Sequence, residues 1–309
     1  MILDRIIGAN VKKAMSTRKD GSPQLDFFDI EGSGVSRRPF SFLSGKNRLY
    51  GHIHYVGPGP YKALVVFFHG FGAGHQSYNR EIGTLAKAGY LVYAYDCTGC
   101  YSSEGTGVIS LAQSLFDQQA FFAYLDSLPE VASMPRYVIG HSWGGFTAFG
   151  ALKKEYNVSK CVSIAGFLRI VDAMETAGPS FLKKYRKATL KFLRREYGAY
   201  GAMDAVDMVN GASAKVLYIQ GNKDAVCPFK DCFLRLQKEC HNPNLTMLEV
   251  KNLYHQPYWT EDSQAYYLEL TEKYKIFTRD RDLSYQVDYR RLNQDNPKIL
   301  KAIIDFFDA

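Results

Sequence analysis

Ser142 stands in Gly140-His141-Ser142-Trp143-Gly144, a G-x-S-x-G run. Glycines on both sides of a serine permit a sharp turn that presents its hydroxyl to a substrate carbonyl. The pattern alone is weak, since chance supplies roughly 0.14 such matches in a chain with 26 glycines. A serine hydroxyl is a poor nucleophile at neutral pH. It needs an imidazole to take its proton and a carboxylate to orient that imidazole. The seven histidines that compete for the first role are His52, His54, His69, His75, His141, His241 and His255. Such a set would perform acyl transfer, so the elements that could assemble it decide the matter.

Ala63-Leu64-Val65-Val66-Phe67-Phe68 is continuously apolar and ends at His69-Gly70, as a strand buried on both faces does. Similar runs recur at 90–95, 136–139, 160–164, 215–219 and 245–250, with helical stretches at 78–88, 110–126, 144–154 and 228–240. This alternation predicts an α/β fold, a mostly parallel central sheet flanked by helices. Two earlier strand-like runs, 38–43 and 49–56, flank Ser44-Gly45-Lys46-Asn47 and predict a hairpin. Parallel sheets of this kind place their chemistry at the carboxyl ends of the strands.

That rule ranks the candidates. The serine motif follows one strand-like run and opens a helical one, the setting in which an elbow lifts a side chain above a sheet. Gly140 is expected to supply backbone freedom at the elbow, and Gly144 and Gly145 to allow close packing. His255 follows the run 245–250 by five residues, whereas His241 precedes it, so His255 is the better base. Asp224 lies just past 215–219 and is the expected acid, with Asp172 in reserve. Backbone amides of Trp143 and of Phe71, in the loop His69-Gly70-Phe71-Gly72-Ala73-Gly74, would form an oxyanion hole. That loop lacks both G-x-G-x-x-G and the phosphate-binding lysine, which argues against nucleotide binding.

Taken in order, FFHGFGAG at 67–74, GHSWGG at 140–145, QGNKDAVCP at 220–228 and LYHQPYW at 253–259 resemble the α/β-hydrolase superfamily. The likeness is to its capped branch of monoacylglycerol-lipase-like, serine-aminopeptidase-like and esterase-like proteins. The resemblance implies Ser142, Asp224 and His255 as a catalytic triad, with the Phe71 and Trp143 amides as oxyanion donors. No cofactor and no metal are expected. One loop departs from the pattern: where D-x-R-G-x-G-x-S-x-G is common, the stretch Asp96 to Gly105 carries Thr98 for the arginine and Tyr101 for the second glycine.

Two segments interrupt the alternation. Residues 167–213 contain FLKKYRKATLKFLRREYG. Phe181, Leu182, Tyr185, Ala188, Phe192 and Leu193 form its apolar stripe, and Lys183, Lys184, Arg186, Lys187, Lys191, Arg194 and Arg195 its solvated face. This predicts an inserted helical cap. The expected division is an N-terminal helix and extension at 1–35, a core at 36–166 and 214–309, and the cap at 167–213. Residues 259–292 form a second, tyrosine-rich extension. In the first helix Ile2, Leu3, Ile6, Ile7, Val11, Ala14 and Met15 share one face, read as core packing.

Composition narrows the function classes. No run approaches the roughly 18 apolar residues of a membrane span, and Asp4 and Arg5 break any leader-like stretch, so a cytoplasmic protein without stable membrane insertion is expected. Six cysteines in 309 residues, Cys97 and Cys100 among them, read as ordinary reduced thiols. A net charge of +7 without a nucleic-acid motif gives no nucleic-acid partner. The expectation is a serine hydrolase cleaving a small-molecule carboxylic ester. Peptide, amide or thioester cleavage by the same residues is the alternative, and a non-catalytic binding protein on the same fold is the alternative of another class. Haloalkane chemistry would need aspartate at position 142.

Overall fold

A computed structural model describes residues 2–22, 25–178, 181–278, 282, 284–292 and 294–309. The side chains of Ile2, Leu3, Asp4, Ala14 and Phe181 lie outside the described ones.

Eight strands form one sheet: β1 (Ser36–Ser44), β2 (Asn47–Tyr55), β3 (Leu64–Phe68), β4 (Leu91–Tyr95), β5 (Arg136–His141), β6 (Val158–Ile164), β7 (Lys215–Gly221) and β8 (Leu245–Val250). Their spatial order is β1-β2-β4-β3-β5-β6-β7-β8. The expected hairpin pairs β1 with β2 antiparallel and closes at Ser44 opposite Asn47. β2 runs antiparallel to β4, and from β4 onward every neighbour is parallel. All five residues of β3 are buried, because it lies inside the sheet with helices over both faces.

The helices are α1 (Ile2–Met15), α2 (Asn79–Lys87), α3 (Gln113–Asp126), α4 (Trp143–Gly150), α5 (Ile170–Ala177), α6 (Phe181–Lys184), α7 (Arg186–Gly201), α8 (Ala205–Asn210), α9 (Arg235–Glu239), α10 (Glu261–Glu272), α11 (Tyr289–Leu292) and α12 (Pro297–Asp308). On one face Phe121, Phe122, Trp143, Phe146 and Phe149 pack against Val66, Tyr93 and Val138. On the other, Ile82, Leu85, Ile299, Ile303 and Phe307 pack against Val65, Phe67 and Ile139. The alternation of side chains along each strand feeds both layers. α4 is buried on every side, which its composition WGGFTAFG permits.

Four helices, α5 to α8, lie between β6 and β7, and the amphipathic run FLKKYRKATLKFLRREYG falls on α6 and the 16-residue α7. The run breaks at Tyr185, which leaves helical geometry, and kinks again at Gly198 (φ 58°, ψ −134°). Arg186, expected on the solvated face, bonds Asp172 at 2.7 Å and Glu175 at 2.6 Å. α1 packs on α7, with Ile7 buried, Val11 and Met15 against the core and Lys12 joined to Glu196 at 2.6 Å. The helix after Ser142 ends at Gly150, short of the expected 154, and the helix expected at 228–240 opens as a wide turn over Lys230–Leu234. Among the described residues no helix is long and apolar enough to cross a membrane.

Candidate active site

β5 ends in the elbow. Ser142 sits at φ 57° and ψ −115°, a conformation that costs a non-glycine residue about 1–3 kcal/mol and persists only where its surroundings enforce it. Its amide donates to the Ile164 carbonyl at 2.8 Å, which ties the turn to the end of β6. The strain therefore rests on the serine, and Gly140 is needed for space: a Cβ there would lie 2.1 Å from the Gly144 carbonyl oxygen. At Gly144 a Cβ would come within 2.0 Å of the Phe68 carbonyl oxygen, so the start of α4 can approach β3 only without side chains.

Asp224 and His255 reach the same end of the sheet from the loops after β7 and β8. His255 Nδ1 donates to Asp224 Oδ2 at 3.0 Å. Asp224 Oδ1 accepts from the Val226 and Cys227 amides, each at 2.9 Å, and Oδ2 also from Gln220 Nε2 at 3.2 Å. A carboxylate so held has one free direction, toward the imidazole. Among the described residues no hydrogen bond joins Ser142 Oγ to His255. Nucleophile–base pairs often tighten only when substrate is present. The His255 ring nevertheless lies over the elbow, with its centroid 4.7 Å from that of His141.

The sequence's second choices lie elsewhere. Asp172 is held by Arg169 and Arg186, both at 2.7 Å. His241 is exposed ahead of β8, its amide bonded to Asn210. Trp143 is the first residue of α4, where helix geometry leaves its amide without an intrahelical acceptor. Phe71 stands over it, ring to ring at 5.4 Å. The amino end of α4 makes this corner favourable for negative charge.

A family model described as serine aminopeptidase, S33, matches residues 59–203. A 2-hydroxy-6-oxononadienedioate/2-hydroxy-6-oxononatrienedioate hydrolase of Paraburkholderia xenovorans is 30% identical over 149 residues, 47% of each chain. A second such hydrolase, from Dechloromonas aromatica, matches equally. The chain thus aligns with about half the length of the curated relatives it matches. Among solved structures, an esterase of Pyrococcus furiosus superposes with TM-score 0.60 at 16% identity, covering 86% of this chain and 99% of that one. Acetyl xylan esterase 1 of a Thermoanaerobacterium species superposes with TM-score 0.57 at 16% identity over 89% and 94%. The chain shares the fold of these esterases, and its residues 59–203 resemble the serine aminopeptidase, S33, family.

Three supports of this candidate site are invisible to motif reading. The first is His141. Tyr78 Oη accepts from the Gly70 amide at 3.0 Å and donates to His141 Nδ1 at 2.9 Å, while His141 Nε2 donates to the His255 carbonyl at 2.8 Å. Burial, then the neighbouring His255, lowers the His141 pKa to about 3, so this ring stays neutral and in one tautomer. It links the Phe71 loop, the elbow and the His255 loop. The second is Gln264 on α10, whose Oε1 accepts from the Tyr254 amide at 2.7 Å and whose Nε2 donates to the Gln256 carbonyl at 2.5 Å. One side chain thereby clasps both neighbours of His255.

The third lies under the Phe71 loop. His69 accepts from the Cys97 amide at Nε2 (2.9 Å) and donates from Nδ1 to the Gly70 carbonyl (2.8 Å). His75 donates to Asp96 Oδ1 at 2.8 Å from both its amide and its Nδ1. Burial alone would raise the Asp96 pKa, but His75 and Ser102 bring it below the usual carboxylate range. In the departing loop, Thr98 bonds Asp117 through its amide and hydroxyl, and Tyr101 holds φ 39° where the family pattern has glycine. Contacts between residues this far apart in sequence leave no local signal.

Proposed function

We propose that this protein is a serine hydrolase that cleaves a carboxylic ester through an acyl-enzyme. The observation that carries the reading is the 3.0 Å hydrogen bond from His255 Nδ1 to Asp224 Oδ2, beside a serine held at positive φ. With Nδ1–H donated to the acid, His255 presents Nε2 unprotonated and able to take the Ser142 proton. Oγ then attacks the carbonyl, and the developing oxyanion is met by the Phe71 and Trp143 amides, each such donor being worth about 3–4 kcal/mol in comparable sites. His255 returns the proton to the departing alcohol. A water, deprotonated by the same imidazole, releases the acid and restores the serine.

Esterases among the structural neighbours and exposed apolar side chains near the site residues support an ester with an apolar acyl group. Phe71 is 40% exposed, Val226 58% and Tyr254 38%, and each lies within two residues of, or is itself, a candidate site residue. Residues 167–213 would act as the cap over this rim, with 36–166 and 214–309 as the core and 1–35 bracing the cap through α1 and α7.

A fluorophosphonate probe followed by peptide mass mapping tests the reading. An adduct on Ser142 is expected. A folded protein that takes no label there is a binding protein on this fold, and the proposal fails. A panel of p-nitrophenyl esters of rising acyl length, run beside aminoacyl amides and acyl thioesters, then sets the bond cleaved. Faster turnover of an amide or thioester would replace the ester assignment.

A further inference from the structure

The loop that delivers Asp224 also delivers Cys227. Its Sγ, an oxygen of Asp224 and a ring nitrogen of His255 all lie within 4.8 Å of one another. The thiol is buried, while the His255 side chain keeps 12% of its surface open toward solvent. Esterolysis as derived above makes no use of this sulfur. We propose that Asp224, Cys227 and His255 form a binding site for a zinc-class divalent cation, and that its occupation switches the triad off. The switching clause rests on the catalytic reading above; the binding clause does not.

The ligand set is the one zinc takes: a thiolate, an imidazole and a carboxylate, with a fourth position left for water. Hard cations such as magnesium prefer oxygen alone. The geometry is close to what is required. A tetrahedral zinc bound to one oxygen and one nitrogen holds them roughly 3.3 Å apart. Asp224 Oδ2 and His255 Nδ1 already stand at 3.0 Å. The cation would take the place of the proton they share. The sulfur belongs roughly 3.5 Å from each of them, so Cys227 moves inward by little more than an ångström.

The proton count follows. Cys227 enters as the thiol. It gives its proton to solvent as the zinc–sulfur bond forms. The Nδ1 proton of His255 passes to Nε2, so the ring stays neutral and one proton is released per cation bound. Inhibition is then a matter of tautomer. With Nε2 protonated, the imidazole can no longer accept the serine proton, and the bond that oriented it is gone.

Cobalt(II) titration reads the site without reference to turnover, because a cobalt–thiolate bond gives an absorption band in the near ultraviolet. The full-length protein is expected to show the band, Cys227→Ser to lose it, and zinc to abolish it by displacement. In parallel, zinc is expected to slow fluorophosphonate labelling of Ser142 by about tenfold or more, reversibly on chelation, with magnesium inert and Cys227→Ser at least about tenfold less sensitive. Thermal unfolding of Cys227→Ser reports its fold, and each protein's own metal-free labelling rate is the reference for its zinc sensitivity. Absence of the cobalt band from the native protein overturns the proposal. So does a band that survives in Cys227→Ser, or equal zinc sensitivity of labelling in the two proteins. If Ser142 takes no label even without metal, the hydrolase reading fails, and the cobalt band still decides the site.

Discussion

His141 Nε2 donates to the backbone carbonyl of His255 across 2.8 Å, so the residue before the elbow serine positions the segment that carries the base. Replacing His141 with leucine removes this bond and the one from Tyr78. Loss of a buried hydrogen bond costs about 1–3 kcal/mol, and every 1.4 kcal/mol in a barrier is about tenfold. His141→Leu is expected to lower kcat on a p-nitrophenyl ester by about 10–100-fold with KM little changed. A parallel loss in KM would point instead to a general collapse of the pocket.

The base assignment is tested by comparing two histidines. His255→Ala should reduce the rate of fluorophosphonate labelling by about a thousandfold or more, and His241→Ala should leave it unchanged. Asp224→Asn, which keeps shape but donates where an acceptor is needed, should fall in the same range as His255→Ala. Equal effects of the two histidine variants would unseat His255.

The start of α4 sets a steric limit. Gly144→Ala puts a methyl 2.0 Å from the Phe68 carbonyl oxygen, on a helix buried on all sides, with nowhere to shift. Thermal unfolding should show a large drop in Tm or no cooperative transition at all. A Tm within a degree or two of the native value would mean that α4 packs less tightly on β3 than the geometry requires.

Glu81 gives a prediction about pH. Burial, then repulsion from Asp295, raises its pKa from 4.5 to about 8, and its Oε2 has no hydrogen-bond partner among the described residues. A group whose pKa is raised by folding contributes stability that is complete below its unfolded value and is lost as the pH rises through the folded one. Glu81→Gln removes that loss. The Tm of the variant relative to the native protein should therefore increase by several degrees from pH 5 to pH 8.5. Buried histidines act in the opposite sense: burial, then His75, lowers His52 to about 4, so its contribution is lost as the pH falls from 6.5 through 4. That effect is common to both proteins and cancels in the difference. A flat difference would show Glu81 to be charged in the native state.

Continuous apolar runs ending in glycine or histidine made the parallel strands legible, because a strand buried on both faces has no polar residues to interrupt it. The same rule about strand ends led to Asp224 and His255, which the fold brings into contact. Less legible was anything decided by sequence-distant partners. Arg186 looked like one more solvated cation until Asp172 and Glu175 came within reach. Gln264 sits in a polar stretch whose pattern says only helix, and its task is visible only once the loop around His255 lies against it. Cys227 read as an ordinary thiol because nothing in its spacing announces a histidine 28 positions later. The strain expected at Gly140 sits two residues further on, at Ser142, since pattern alone cannot separate a glycine that rotates freely from one that merely leaves room.

The clasp of Gln264 around His255 also imposes an order in time. β3, β5, β6 and α4, which frame the serine elbow, all lie within residues 64–164 and leave the ribosome together. The His255 segment waits for α10, which is anchored in turn by the bond from Ser263 Oγ to the Leu292 carbonyl, and Ser22 meets Ile276 across 254 positions of chain. On the reading proposed above, a growing polypeptide carries its serine turn well before it owns the clasped histidine that would activate it.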